Sequence, residues 1–156
     1  MTGTALPRFV DYASSLTFAG PPEKVVEALT DPAGLTAWWT PTSGSGAEGG
    51  QLRLDFGWDQ PLLLGVHTAR PILVVWDVLV CTFLPDWEGT SIVFDIGIGN
   101  HGACDMFFRH HGLNVGLDCY ETCHQGWAHF LGSLKAYVDT GVGNPRGSAA
   151  DQARRR

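Results

Sequence analysis

Residues 118–141, DCYETCHQGWAHFLGSLKAYVDTG, constrain the fold more than any other stretch. In them Tyr120, Cys123, Trp127, Phe130, Leu131, Leu134, Tyr137 and Val138 recur at three- and four-residue steps, the apolar stripe of a helix laid along a sheet. Asp118 with Glu121 three residues later predicts the start in the manner of a capping box, and Gly141 predicts the stop. The mid-helix glycines Gly126 and Gly132 each cost about 1 kcal/mol relative to alanine, so they predict close approach of a strand, another chain or a ligand.

The partner for that stripe is read upstream. FVDYASSLTF, residues 9–18, alternates with Val10, Tyr12, Leu16 and Phe18 on one face and predicts a strand. PPEKVVEAL and DPAGLTAWW predict two short helices, the second capped by Asp31 and ending near Trp39. Pro41 and TSGSGAEGG then break the pattern and predict a flexible loop able to act as a lid. QLRLDFGW alternates Leu52, Leu54, Phe56 and Trp58 against Arg53 and Asp55, and further strands are expected over 62–67, 72–82, 91–98 and 103–113. The order is strand, two short helices, an antiparallel meander and a long helix, an α+β chain.

At 156 residues this fits one domain. Hydrophobic residues make up 44% and charged residues 17%, so the fold is expected to enclose or cover apolar surface. The net charge is −6, but residues 1–145 carry six Lys or Arg against fifteen Asp or Glu, which argues against a nucleic-acid partner. RGSAADQARRR, residues 146–156, reads as a disordered basic tail. No apolar run approaches the roughly 20 residues that span a bilayer, and no export signal is readable, so stable membrane insertion is not expected and the cytoplasm is the expected location. There Cys81, Cys104, Cys119 and Cys123 are expected as reduced thiols.

Cys119 and Cys123 stand one helical turn apart, but zinc sites draw a second ligand pair from another segment, and His124 and His129 point off the thiol face. No metal and no cofactor is expected. No nucleophile elbow, phosphate loop or Ser/His/Asp arrangement is readable either, so a binding protein is expected in preference to an enzyme.

Four stretches, PPEKVVEALTDPAGLTAWW, WEGTSIVFDI, FFRHHGL and CHQGWAHFLGSLKAYVDTGVGNP, resemble the SRPBCC or START-like superfamily, within it the branch related to activators of the heat-shock chaperone ATPase. The resemblance runs over residues 9–145, after an N-terminal segment 1–8. It implies a helix-grip fold, in which a curved antiparallel sheet wraps the long C-terminal helix and leaves an apolar cavity between them. Proteins of this shape include lipid carriers, hormone-binding proteins, polyketide cyclases and chaperone regulators, so function does not follow from the fold.

The expected ligand-lining residues are Trp38, Trp39, Phe56, Trp58, Phe94, Met106, Phe108, His110, Cys123, Trp127 and Leu131. Alternation in CDMFFRHHG sets Cys104, Met106, Phe108 and His110 on the cavity side, and pockets are lined mainly by apolar and aromatic groups with few polar ones. His110 is either a ligand contact or a core histidine satisfied by its neighbours. The leading expectation is a binder of an apolar small molecule or lipid, with a void above roughly 300 Å³. The alternatives are a cyclase-like or hydrolytic enzyme using His110 with Asp55, Asp77 or Asp95, and an interaction module for a chaperone or transcription partner. ILVVWDVLV is apolar on both faces, so its outer face needs a cover, either a second copy of the chain or a neighbouring loop.

Overall fold

The computed structural model of the chain describes residues 10–99 and 103–155; the expected N-terminal segment 1–8 lies outside them. Alternating apolar residues build seven strands: β1 (Asp11–Phe18), β2 (Thr42–Gly44), β3 (Gln51–Leu54), β4 (Leu62–Arg70), β5 (Leu73–Val80), β6 (Ser91–Ile98) and β7 (Cys104–Asn114). They form one curved sheet in the order β1-β7-β6-β5-β4-β3-β2, every pair antiparallel. The first strand therefore closes against the last, as a sheet curled round a helix requires. The expected helix-grip, α+β architecture is the observed one.

Helices α1 (Pro22–Thr30) and α2 (Pro32–Trp38) follow β1, each with proline in its first turn, and Asp31 caps α2 by accepting from the Ala33 N–H at 3.1 Å. Helix α3 (Tyr120–Thr140) buries Cys123, Trp127, Phe130, Leu131, Leu134 and Val138 on the expected stripe, with Ser133 beside them. Gly141 ends it at φ +85°, its N–H reaching Tyr137 O at 2.8 Å. The start differs from expectation: Cys119, not Asp118, is the cap residue, because the preceding turn closes with Tyr120 N–H on Leu117 O and shifts the helix by one.

Four further expectations are corrected. Strand β3 stops at Leu54, since the Asp55 carboxylate accepts from Gly57 N–H at 2.7 Å and Gly57 lies at φ +83°, so Phe56 and Trp58 sit on a turn. The glycine-rich segment is an edge strand and a docked turn in place of a lid: Gly49 N–H bonds Val66 O, Val66 N–H bonds Gly50 O, and a Cβ on Gly46 would stand 1.9 Å from Thr30 O. Gly126 and Gly132 save no space, because a Cβ at either would meet nothing within 4 Å. The tail is not disordered over 149–154 but forms α4 (Ala149–Arg154); Ser148 caps it, and buried Asp151 takes Gly147 N–H and pairs with Arg154 and Arg155. Arg154 also lies over the Phe130 ring, which ties this helix to α3.

Candidate functional site

Between the concave sheet face and α3 lies a cluster of aromatic rings. β5 contributes Trp76, β6 Phe94, β7 Phe108 and His110, α3 Trp127, and the end of α2 Trp38 and Trp39. Trp39 is the hub: its ring stands 5.5 Å from Trp38, 5.8 Å from Phe56, 5.8 Å from Trp76 and 5.2 Å from Trp127. Phe108 meets Trp127 at 4.6 Å and Phe94 at 5.2 Å. These are ordinary distances for favourable ring pairs. Trp38, Trp39, Phe108, His110 and Trp127 are thus linked by ring contacts through Trp39 and Trp127, where an open void was expected.

Of the expected lining residues, Phe94, Met106, Cys123 and Leu131 are also buried in this core, and Phe56 is half-buried against Trp39. Trp58 is not part of it. It is 64% exposed, stacks on Phe83, and borders a surface recess of about 410 Å³ with Arg53, Asp55, Asp59 and Pro61. A second recess, about 550 Å³, opens between Val10, Tyr12, Val115, Tyr120 and His124. Trp76, whose direction the doubly apolar strand could not fix, is fully buried on the inner face.

His110 is the polar centre of the cluster, and its two nitrogens are both engaged. The Trp127 indole N–H donates to Nδ1 at 3.0 Å, so Nε2 carries the proton and donates to Thr90 Oγ1 at 2.8 Å. The Thr90 hydroxyl in turn donates to Trp87 O at 2.5 Å. Burial pushes the imidazole pKa down to about 3, with Asp11 opposing and His111 reinforcing that fall. His110 is held neutral and has no hydrogen bond to Asp55, Asp77 or Asp95; Asp77 takes the Ser91 hydroxyl instead, and Asp95 is exposed. An acid–base pair with a carboxylate is therefore not assembled in this arrangement.

Sequence reasoning missed Trp87 and Thr90, which reach His110 from the 3-10 turn Pro85–Trp87 and the residues after it. Their spacing from His110 carries no local signal; only the β6–β7 register brings them together. The Trp87 indole donates to Cys123 Sγ at 3.1 Å, while burial pushes that thiol up to about 12. Cys123 thus serves the wall as an acceptor.

Comparison with known proteins gives a family and a fold. The sequence profile described as "Activator of Hsp90 ATPase homolog 1-like protein" matches residues 19–139. The solved Aha1 dimer from Colwellia psychrerythraea is 29% identical, with a TM-score of 0.74, covering 86% of this chain and 99% of that one. CalU16 from Micromonospora echinospora is 17% identical at TM-score 0.67, covering 92% and 78%. DynU16, a putative protein in the dynemicin biosynthetic locus, is 22% identical at TM-score 0.64, covering 84% of this chain and 48% of that one. At those identities the last two show the fold alone. No curated protein matches the chain. The matched profile, spanning everything from the end of β1 to the last turn of α3, means that this chain belongs to the activator of Hsp90 ATPase homolog 1-like family, in the SRPBCC superfamily.

Proposed function

We propose that the chain binds a mostly apolar, aromatic small molecule or lipid between the sheet and α3, the ligand taking over the ring contacts that Trp39 now makes. The observation that carries this is the position of Trp39. It touches rings on three other parts of the fold, yet it follows α2 and belongs to no strand, so its displacement breaks no strand pairing. The described form is then the closed one, and binding requires an opening that exchanges ring–ring contact for ring–ligand contact. A ligand-binding cavity also fits the SRPBCC fold.

The test is native mass spectrometry of the purified protein for a retained ligand, followed by a thermal-shift screen of aromatic polyketides, isoprenoids and fatty acids. A ligand that binds the native state alone stabilises it by about 2.7 kcal/mol at a hundredfold excess over Kd. No retained mass and no shift across the set overturns this reading in favour of the second one, a protein-interaction module.

Two observations favour that second reading: the ring-filled core, and outer-face residues Phe107 and Leu79, 47% and 44% exposed. The same surface is where we place a homodimer, supported by the dimeric state of the Colwellia protein. Light scattering of the wild type and of Phe107→Glu checks it; a monomeric wild type overturns it. Among the described residues no helix is long and apolar enough to cross a membrane. The free thiols support a reducing compartment, the cytoplasm, as the place of action.

A further inference from the structure

Among the described residues, the Trp76 Nε1–H is the one buried side-chain nitrogen or oxygen with no hydrogen-bond partner. Three other core indoles each have an acceptor: Trp38 donates to Ala28 O at 2.7 Å, Trp87 to Cys123 Sγ and Trp127 to His110 Nδ1. An orphaned buried donor keeps the cost of leaving water with no bond gained, which a phenylalanine at this position would not incur. Trp76 stacks on Trp39, the ring that ligand entry displaces, with an interplanar angle of 16°. Its other ring neighbour, Phe94, meets it edge-on at 4.8 Å and offers at most a weak π acceptor.

Among the described residues the core also lacks a counter-ion. Its buried polar side chains are Thr40, Thr68, Thr90, His110 and Ser133; the buried charge, Asp151, is paired with arginines in α4. His110 is neutral with both nitrogens spoken for. A carboxylate drawn into this space would lose its water and gain no cation, so burial there strongly disfavours it.

We propose that the molecule bound between the sheet and α3 is uncharged and carries a hydrogen-bond acceptor, a carbonyl or ether oxygen, that receives the Trp76 indole N–H. This rests on the ligand-binding reading above and narrows it from lipids and polyketides in general to neutral aromatic ketones or ethers. Because the N–H lies in the ring plane, the accepting oxygen sits past the edge of Trp76, and the ligand is larger than the indole it displaces.

The test uses three probes of one shape: 9-fluorenone, fluorene, which lacks the oxygen, and 9-fluorenone-2-carboxylate, which adds a charge. Affinities are measured calorimetrically, and the indole N–H signals are followed by ¹H–¹⁵N NMR, with Trp76 assigned by its loss in Trp76→Phe. Fluorenone is expected to bind about tenfold or more tighter than fluorene and than the carboxylate, from relief of the orphaned donor and absence of a buried charge. Both neutral probes should move the Trp76 signal by displacing the stacked Trp39 ring, but fluorenone alone should carry it downfield as a hydrogen bond to oxygen does, and its advantage over fluorene should vanish in Trp76→Phe. Should that variant not fold, the wild-type signal, assigned through contacts to Phe94, decides. Fluorenone and fluorene binding equally, with the Trp76 signal moved alike by both, overturns the acceptor while the ligand-binding reading stands. Binding of neither neutral probe overturns the aromatic ketone or ether proposed here, while the ligand-binding reading falls only with the retained-mass and thermal-shift test above.

Discussion

The Trp127 indole N–H points at Nδ1 of His110 from 3.0 Å, and that one contact fixes the tautomer of a fully buried imidazole. Protonating Nδ1 would set two N–H groups against each other in an apolar core. Folding therefore holds His110 neutral, with a pKa near 3 against 6.5 in its ordinary state. Below pH 6.5 the unfolded chain takes up a proton that the folded chain refuses, so this contribution to stability is complete above that value and is lost as pH falls towards 3. The slope is about 1.4 kcal/mol per pH unit in that window. Urea midpoints of the wild type should fall between pH 7 and pH 5 by more than those of His110→Gln, whose amide can serve both partners without titrating. Parallel pH profiles would mean that His110 titrates alike in the folded and the unfolded chain.

Leu131 is buried in α3 and Lys135, one turn later, lies at the rim. Leu131→Ala should cost about 2–5 kcal/mol. Lys135 is not idle: it donates to Thr17 O, pairs with Asp139 at 2.8 Å and lies over the Phe18 ring. Its contacts are partly solvated, so Lys135→Ala should cost no more than about 1 kcal/mol. Denaturant midpoints of the two variants check the ranking; equal losses would refute the rotation of α3 described above.

Gly126 and Gly132 lie in a regular helix with open space where a Cβ would be built, whereas Gly46 is pressed against the Thr30 carbonyl. Gly126→Ala and Gly132→Ala should each stabilise the chain, by about 0.4–1 kcal/mol, and Gly46→Ala should destabilise it. Thermal melts of the three variants give the signs directly. A loss on replacing either helical glycine would show that α3 presents its outer face to something packed there in solution.

What was legible in the sequence is what periodicity encodes. The stripe of α3 and the alternation Cys104, Met106, Phe108, His110 on β7 placed their side chains on the buried face because each element is long enough to average out single residues. Trp58 was misplaced because the alternation of β3 was followed through Asp55-Phe56-Gly57, a stretch whose Asp and Gly form a turn and end the strand. The tail was misread from composition, although Ser148 and Asp151 stand at the spacing of a helix cap. The partners of His110 were out of reach, since Trp87, Thr90 and Trp127 converge on it only through the sheet register and the docking of α3.

The four thiols should separate into one accessible group and three protected ones. Burial pushes Cys81 up to about 11 and Cys123 up to about 12, and it also raises Cys104, so almost no thiolate forms at any of the three near pH 8. Cys119, at the cap of α3, is half-buried. Titration with a chromogenic disulfide at pH 8 should therefore modify a single thiol in the native protein and all four in denaturant. Mass mapping should place the native adduct on Cys119, and Cys119→Ser should abolish it without lowering the melting temperature by more than about 2 °C, less than about 1 kcal/mol for a chain of this size. Rapid native modification of Cys123 would mean that its bond from the Trp87 indole opens readily. A ligand seated between sheet and helix should slow modification of Cys123 while leaving Cys119 unchanged, and equal slowing of both would place the ligand on the surface instead.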